Sequence, residues 1–173
     1  MALSTFENYY EKVQEEARNL IEDYLDNIVE EVEEGKDLQE EVDEAVWWNL
    51  ESTFTYVDLH DCAYILEASS RLETDSGLWE RLEPIEAVES MAMFTYRNDL
   101  EFAVMEMLKD TFEKRKEELE EEATNLEEKL KEVEDSECNS TSEEQEELRN
   151  RLEESLDIVE DKLGFIEEAI KYM

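Results

Sequence analysis

The sequence predicts an all-α fold with a helical core and a long antiparallel coiled-coil hairpin at the C-terminal end. Three observations support this prediction. The 173 residues include only three Gly and one Pro, so few helix breakers interrupt the chain. Apolar residues recur every three or four positions, and the last third carries a heptad repeat. A hydrophobic content of 40% with 16 aromatic residues indicates an ordered core rather than a disordered acidic tail.

The first helix is predicted to run from Ser4 to Gly35. Ser4 and Glu7 match a capping box, and Gly35 can end the helix because glycine readily adopts the left-handed conformation. The periodicity predicts one apolar stripe against the core, made of Phe6, Tyr10, Val13, Ala17, Leu20, Tyr24, Ile28 and Val32.

A second helix is predicted to begin at Asp37 and to continue past Trp47 and Trp48 towards Leu50. The segment from Trp47 to Phe102 contains nine of the 16 aromatic residues, and the globular core is predicted there. These aromatics are Trp47, Trp48, Phe54, Tyr56, Tyr64, Trp79, Phe94, Tyr96 and Phe102. Trp79 and the methionines Met91, Met93, Met105 and Met107 are predicted to pack in the core, with an exposed interaction surface as the alternative.

Between these aromatics, residues 53–57 are predicted to form a loop, with a strand as the weaker reading because no partner strand is evident. A helix is expected over residues 58–72 and a loop over 74–77. The next helix is predicted to begin after Pro84 and to bury one face, made of Val88, Met91, Thr95, Asn98, Phe102, Met105, Leu108 and Phe112. Whether residues 84–133 form one helix or two is open.

Two heptad seams follow in the last third of the chain. The first comprises Phe112, Lys116, Leu119, Ala123, Leu126, Leu130 and Val133. The second comprises Leu148, Leu152, Leu156, Val159, Leu163, Ile166 and Ile170. A polar loop over about residues 135–142 is predicted to join them. The sequence thus predicts an acidic helical domain with an aromatic core over residues 1–112 and a coiled-coil helical hairpin over 113–173. A homodimer formed through the seams is an alternative.

Charge is the main functional observation. The chain holds 53 Asp and Glu against 16 Lys and Arg, a formal net charge of −37. From Ser4 to Glu34 there are eleven acids but only two bases, Lys12 and Arg18. An ordinary solvated helix surface would balance its charges. Like charges at i,i+4 cost about 0.2–0.5 kcal/mol per pair, so stability alone does not explain the acidic rows.

The predicted hairpin also carries a dense row of acids. Residues 113–135 hold eleven acids over roughly 35 Å of helix, or one per about 3 Å, whereas duplex DNA carries one charge per about 1.7 Å. Two adjacent helices together approach the charge density of DNA if their Lys and Arg residues are not subtracted. Subtracting the bases roughly halves that density, which makes the first helix the better mimic.

The sequence therefore predicts an acidic decoy that competes with nucleic acid for a basic groove. The predicted partner is a basic nucleic-acid-binding protein, specifically a host defence nuclease complex. Carboxylates accept the same charge-assisted hydrogen bonds from Arg and Lys that phosphates accept. The predicted partner-binding residues are Glu7, Glu11, Glu15, Glu22, Asp26, Glu30, Glu34, Glu117, Glu121 and Glu128.

In overall charge and helicity, the chain resembles the phage-encoded acidic nucleic-acid mimics that act against restriction enzymes and CRISPR systems. This resemblance covers the whole chain, involves no sequence motif, and implies inhibition of a nuclease. The alternative function is a coiled-coil scaffold, adaptor or acidic chaperone that binds a basic protein without displacing nucleic acid.

Other functions are not predicted. His60 is the only histidine, and His60-Asp61-Cys62 places consecutive side chains about 100° apart on a helix, so no catalytic pair or metal site forms locally. The sequence predicts no enzyme, no cofactor and no direct binding to nucleic acid or membrane. The bases Lys114 to Lys116 are read as partners of neighbouring acids. A cytoplasmic protein is expected, since no leader or apolar span is evident.

Overall fold

The computed structural model describes residues 8–54, 61–62, 65–66, 85–137 and 143–173. This part of the chain is all-α and contains no strand, so the all-α prediction is confirmed. Its helices are α1 (Tyr9–Glu33), α2 (Leu38–Phe54), α3 (Ile85–Glu137) and α4 (Glu143–Tyr172). Residues 61–62 and 65–66 are also helical, as predicted for that segment.

Helix α1 ends as the sequence predicts. Gly35 has a φ of 91°, and its N–H donates to the carbonyl of Val32 at 2.9 Å while the N–H of Lys36 donates to Glu31 at 3.0 Å. These two bonds define a Schellman motif, which pairs carbonyls that the end of a helix would otherwise leave without donors. An ion pair between Lys36 and Glu31 accompanies it. The predicted capping box at Ser4 and Glu7 lies outside the described residues.

Helix α3 is one continuous helix of 53 residues, which answers the question of one helix or two. It also corrects the predicted loop over residues 135–142, because Asp135 to Glu137 are still helical. No Gly or Pro occurs there, so nothing in the chain stops the helix at residue 135. Residues 138–142 lie outside the described part. The predicted loop at residues 53–57 is likewise corrected at its start, since α2 continues to Phe54.

The chain divides into two compact units, with α1 and α3 each contributing to both. Unit 1 contains residues 1–26 and 39–108, and unit 2 contains residues 27–38 and 109–173. The division in α3 falls at 108–109. The domain boundary at 112–113 stays a prediction.

The described core of unit 1 is formed by α1, α2, the helical residues 62, 65 and 66, and the first half of α3. Its buried side chains are mainly aliphatic: Val13, Ala17, Leu20, Val42, Ala45, Val46, Leu50, Ile65, Leu66, Leu100 and Val104. Side-chain hydrogen bonds join the three helices around this core. The hydroxyl of Tyr9 donates to Asp99 at 2.6 Å, and the amide of Asn49 donates to Glu16 at 3.1 Å.

The predicted buried face of the first half of α3 is only partly correct. Thr95 and Leu108 are buried as predicted, but Met91 and Phe102 are exposed, and Asn98 and Met105 are only half-buried. The buried face consists of Ala92, Thr95, Tyr96, Leu100, Ala103, Val104 and Leu108. This half of α3 has apolar residues on opposite sides, so its periodicity fits two registers equally well.

Most of the aromatic residues with described side chains in the predicted core segment are exposed. Among those between residues 47 and 102 with described side chains, Tyr96 is buried, whereas four are more than half exposed: Trp47, Trp48, Phe94 and Phe102. In α1, Tyr9 is buried in place of the predicted Tyr10, which is 63% exposed. Tyr9 is the residue that reaches Asp99 and stacks edge-on against Tyr96. Trp79 lies outside the described residues.

Unit 2 contains both heptad seams. In α3, Phe112 and Leu119 are buried, and the other predicted seam positions are half-buried. In α4, Val159 and Ile166 are buried and Leu148 is exposed, while the remaining seam positions are half-buried. Both predicted seams therefore lie largely on inward-facing sides of their helices.

Candidate functional site

A row of exposed carboxylates follows the outer side of α1 within unit 1. Glu11, Glu15, Glu22 and Asp26 are all exposed. At about 100° per residue these four positions fall within a sector of roughly 60°, on the side of the helix opposite the buried Leu20. With a rise of about 1.5 Å per residue, the row is roughly 22 Å long. We call these four residues the α1 acidic row.

The α1 acidic row is not neutralised by the described part of unit 1. Glu11 accepts a hydrogen bond from the amide of Asn8 at 3.0 Å, and in the described residues none of the four pairs with a base. Lys12 pairs instead with Glu16, which lies off the row. Arg18 is the one base on the same side of the helix. The row therefore presents its negative charge to solvent.

Two further predicted residues of α1 belong to unit 2. Glu30 is in the last turn of the helix and Glu34 follows directly after it, and both side chains are exposed. Their backbones are joined by a hydrogen bond from the N–H of Glu34 to the carbonyl of Glu30, 3.1 Å long. Neither carboxylate has a basic partner among the described residues. Glu7 lies outside the described part.

A second row of carboxylates lies on α3 in unit 2. Glu117, Glu121 and Glu128 are exposed on the side of the helix opposite the buried Phe112 and Leu119. In the described chain none of the three forms an ion pair. We call these three residues the α3 acidic row. All nine predicted partner-binding residues with described side chains are thus exposed.

The three consecutive bases Lys114, Arg115 and Lys116, just before the α3 acidic row, pair with acids outside the row. Lys114 pairs with Glu118 at 3.7 Å, and Lys116 pairs with Glu167 of α4 at 2.7 Å and with Glu120 at 3.6 Å. Arg115 pairs with Glu118 at 3.1 Å and with Glu33, whose side chain is 7% exposed. The prediction of helix-surface ion pairs is confirmed for Lys114 and only in part for Arg115 and Lys116, which also pair with Glu33 and Glu167 on other helices.

Glu33 joins three helical segments of unit 2. Its carboxylate accepts a hydrogen bond from Arg115 of α3 and one from Lys162 of α4 at 2.8 Å. Burial alone would raise the pKa of Glu33, but the two bases lower it below its usual value. Glu33 is therefore a structural carboxylate, unlike its exposed neighbours in the sequence.

Unit 1 has a comparable structural group around Arg97. Arg97 pairs with Asp43 of α2 at 3.1 Å and with Glu101 one turn further along α3. Burial raises the pKa of Glu101 despite the opposing effect of Arg97, and nearby Asp43 raises it further. In the same unit, burial would raise the pKa of Glu16, but hydrogen bonds from Lys12 and Asn49 lower it. These carboxylates hold helices together and are not available to a partner.

Several exposed aromatic side chains were not predicted as part of a binding surface. Trp47 and Trp48 lie on the outer side of α2 and are 53% and 58% exposed. The amino-acid composition does not distinguish an exposed tryptophan from a buried one, so the sequence predicts both to lie in the core. The helical spacing of the two tryptophans from Val42 and Val46, which are buried, could have indicated that they lie on the other side of α2.

The candidate catalytic residues do not form a site in the described part of the chain. Cys62 is buried, and His60 lies outside the described residues. Among the described residues no group of three or more His, Cys, Asp and Glu is arranged to hold a metal ion. None of the described helices is sufficiently long and apolar to cross a membrane.

No protein-family model matches the chain, and searches of curated proteins and of solved structures return no match. The functional interpretation therefore depends on the surfaces of the two units.

Proposed function

We propose that this protein is an acidic decoy that occupies the basic groove of a DNA- or RNA-binding protein and excludes the nucleic acid. The observation that carries the proposal is the α1 acidic row, whose four carboxylates are exposed, ordered on one helix and without a basic partner in the described chain. A nuclease of a host defence system is the partner class that the resemblance to phage-encoded mimics favours. The cytoplasm is the compartment in which such a nuclease would be met.

The spacing of the row suits a surface that reads phosphates. Carboxylates four residues apart rise by about 6 Å along α1, while phosphates of one DNA strand rise by about 3.4 Å per nucleotide. Within the pairs Glu11/Glu15 and Glu22/Asp26 the row therefore places one carboxylate for about every second phosphate of a strand, while the seven-residue step between the pairs spans about three phosphates. Arg and Lys side chains are long enough to adjust to this difference, and they bind both groups through charge-assisted hydrogen bonds.

The net charge adds a long-range contribution. A surface of one sign accelerates encounter with a partner of the opposite sign, and the acceleration falls as salt rises. With 37 excess negative charges, the chain is expected to attract basic grooves and to repel nucleic acid itself. Competition for the groove, rather than binding to nucleic acid, is the mechanism that this charge supports.

We further propose that residues 113–173 form an antiparallel coiled-coil hairpin that presents the α3 acidic row. The half-buried seam positions of α3 and α4 and the ion pair between Lys116 and Glu167 support this arrangement. A seam shared by only two helices leaves its side chains partly open to solvent. The hairpin would serve as a second acidic surface with more internal ion pairing than α1.

The second candidate function is a scaffold or acidic chaperone for a basic protein. The exposed aromatic residues of unit 1 favour it, because aromatic side chains are common anchors in specific protein interfaces. The two functions differ in one measurable respect: a decoy displaces nucleic acid from its partner, and a scaffold or chaperone does not need to.

The test combines capture with displacement. The protein captures partners from the native or host-cell lysate at low and raised salt, and the captured protein is then loaded with labelled DNA or RNA. We expect that adding the acidic protein will displace the labelled nucleic acid from the captured partner. The fourfold variant Glu11→Lys, Glu15→Lys, Glu22→Lys and Asp26→Lys should lose this release while keeping its helicity.

The matched control reverses four exposed acids of α4, Glu146, Glu154, Asp157 and Asp161, and so changes the net charge equally. Retained release by this control and loss by the α1 variant support the α1 acidic row as the decoy surface. Equal loss by both variants would mean that net charge alone acts. A partner that keeps its nucleic acid would contradict the decoy and favour the scaffold.

A further inference from the structure

Two adjacent tryptophans occupy the outer side of α2 in unit 1. Trp47 is 53% exposed and Trp48 is 58% exposed, while the inner side of the same helix buries Leu38, Val42 and Val46. Tryptophan is one of the residues most enriched at the centres of protein interfaces. Two exposed indoles side by side on a helix are therefore a surface that needs a functional explanation.

A carboxylate lies between the two indoles on the helix surface. Glu44 precedes Trp47 by three residues and Trp48 by four, and residues at these two spacings are neighbours on a helix. Glu44 is exposed and has no ion-pair partner within the described residues. Glu40, also exposed, lies one turn before it. The outer side of α2 thus combines two aromatic rings with an acid that pairs with no base in the described part of the chain.

The chemistry of this group selects a cation, and among cations it favours arginine. The face of an indole attracts a positive charge, and tryptophan is the best of the aromatic residues in this role. A guanidinium can stack on an indole and donate two parallel hydrogen bonds to a carboxylate, whereas the compact ammonium of lysine cannot do both. A group made of Glu44, Trp47 and Trp48 therefore discriminates between the two bases.

The charge of the chain excludes the other occupants of such a surface. Exposed aromatics also stack on nucleic-acid bases, but phosphates would be repelled by a chain with a net charge of −37. An anionic membrane and a second copy of this chain would be repelled for the same reason. A basic protein is attracted by the same field, so charge complementarity favours an arginine of a basic protein as the group that binds this surface.

We propose that Glu44, Trp47 and Trp48 form an arginine-binding site through which unit 1 recognises its basic partner. This inference rests on the proposed function for the basic character of the partner. It adds that recognition includes one stacked side chain, which gives a specificity that rows of carboxylates alone lack.

The test uses peptides of nine arginines or nine lysines as probes of equal charge. Isothermal titration calorimetry at about 150 mM salt is the main readout, since the physiological Debye length of about 8 Å weakens the contribution of distant carboxylates. We expect the native protein to bind the arginine peptide at least tenfold more tightly than the lysine peptide. The double variant Trp47→Ala and Trp48→Ala should bind both peptides equally, with at least a tenfold loss for arginine.

Two further variants complete the design. Glu44→Gln should lower the arginine preference while leaving both tryptophans in place. Tyr172→Ala removes a side chain that is 72% exposed in unit 2 and should leave the preference unchanged. Circular dichroism should give the same helix content for all variants.

Three outcomes would overturn the inference. Equal affinity of the native protein for the two peptides would mean that only charge is read. An unchanged arginine preference in the double tryptophan variant would place the preference elsewhere. A change in oligomeric state of that variant, measured by sedimentation, would identify the surface as a contact between copies. The reversed α1 acidic row tests the decoy separately, because that variant keeps all three residues of the arginine site.

Discussion

Counted over the whole sequence, unit 1 holds 24 acids and 5 bases, and unit 2 holds 29 acids and 11 bases. The net charges, −19 and −18, are nearly equal, but the structure uses them differently. In unit 2 seven of the eleven bases form ion pairs, several of them between helices. In unit 1 bases are scarce, and the ion pairs among its described residues do not include the α1 acidic row. Net charge alone therefore does not distinguish a binding surface from a structural one.

The two units also differ in what lies beside their charges. Unit 1 places exposed aromatic side chains on the outer sides of α2 and α3, whereas unit 2 continues as two long helices whose seam positions are mostly half-buried. Close packing makes the cost of losing a side chain depend on how completely it is enclosed. The same substitution in the two units should therefore have different effects.

The largest expected difference is between Leu100→Ala in unit 1 and Leu130→Ala in unit 2. Both residues belong to α3, so the change in helix propensity is the same. Leu100 is fully buried, and its truncation should lower the free energy of unfolding by about 3 kcal/mol. Leu130 is half-buried, and about 1 kcal/mol is expected. Urea denaturation measures both values. Equal losses would contradict the difference in packing.

The next largest effect concerns Glu33 in unit 2. Glu33→Gln leaves the partly exposed Arg115 and Lys162 without their shared carboxylate and should destabilise the protein by about 2 kcal/mol at pH 7. The control Glu118→Gln removes two surface ion pairs, with Lys114 and Arg115, and should cost about 1 kcal/mol or less.

The contribution of Glu33 to the stability of the folded protein should decrease as the pH falls. Because the pKa of Glu33 is lowered in the folded state, its stabilisation is present above the unfolded pKa of about 4.3 and is lost as pH falls through the folded pKa. The difference between the native protein and Glu33→Gln should therefore shrink in denaturation curves taken below about pH 4. A difference that grows on acidification would rule out this ion-pair group.

Replacing either of two glycines in unit 2 by alanine should change stability by a smaller amount, and in opposite directions. Gly35 has a positive φ, and an added Cβ would lie 2.9 Å from the ring of Phe165, so Gly35→Ala should cost about 1–2 kcal/mol. Gly164 lies in α4 with open space around it, so Gly164→Ala should stabilise by about 0.5–1 kcal/mol. Thermal unfolding midpoints should shift in opposite directions. A stabilising Gly35→Ala would contradict the role of the Schellman motif.

The smallest expected effect belongs to the α1 acidic row. Asp26→Asn removes the i,i+4 repulsion with Glu22 and with Glu30, and each pair costs about 0.2–0.5 kcal/mol. The variant should be more stable by a few tenths of a kcal/mol to about 1 kcal/mol at low salt, with less gain in 1 M salt. Denaturation at the two salt concentrations measures this. A loss of stability at low salt would mean that the carboxylate has a structural partner.

Particular residues show how far the sequence could lead. Gly35 marked the end of α1 because its function is local, and the helical character of every described segment followed from periodicity and the lack of breakers. The register of α3 and the choice of Tyr9 over Tyr10 could not be read in the same way. Each alternative fits a helix equally well, and only a contact from another helix, such as that between Tyr9 and Asp99, distinguishes them.

For the candidate surfaces too, some features follow from the sequence and others only from the tertiary structure. The sequence by itself determined that the described chain is helical and that most of its acids lie at the surface, because helix formation is local and ionised side chains are costly to bury. Tertiary structure decided that Glu33 is shared by two bases while Glu30 and Glu34 are not, and that Trp47 and Trp48 point outwards. Pairing and burial depend on residues distant in the sequence, such as Arg115 and Lys162 for Glu33. Composition and periodicity contain no information about which distant residues meet.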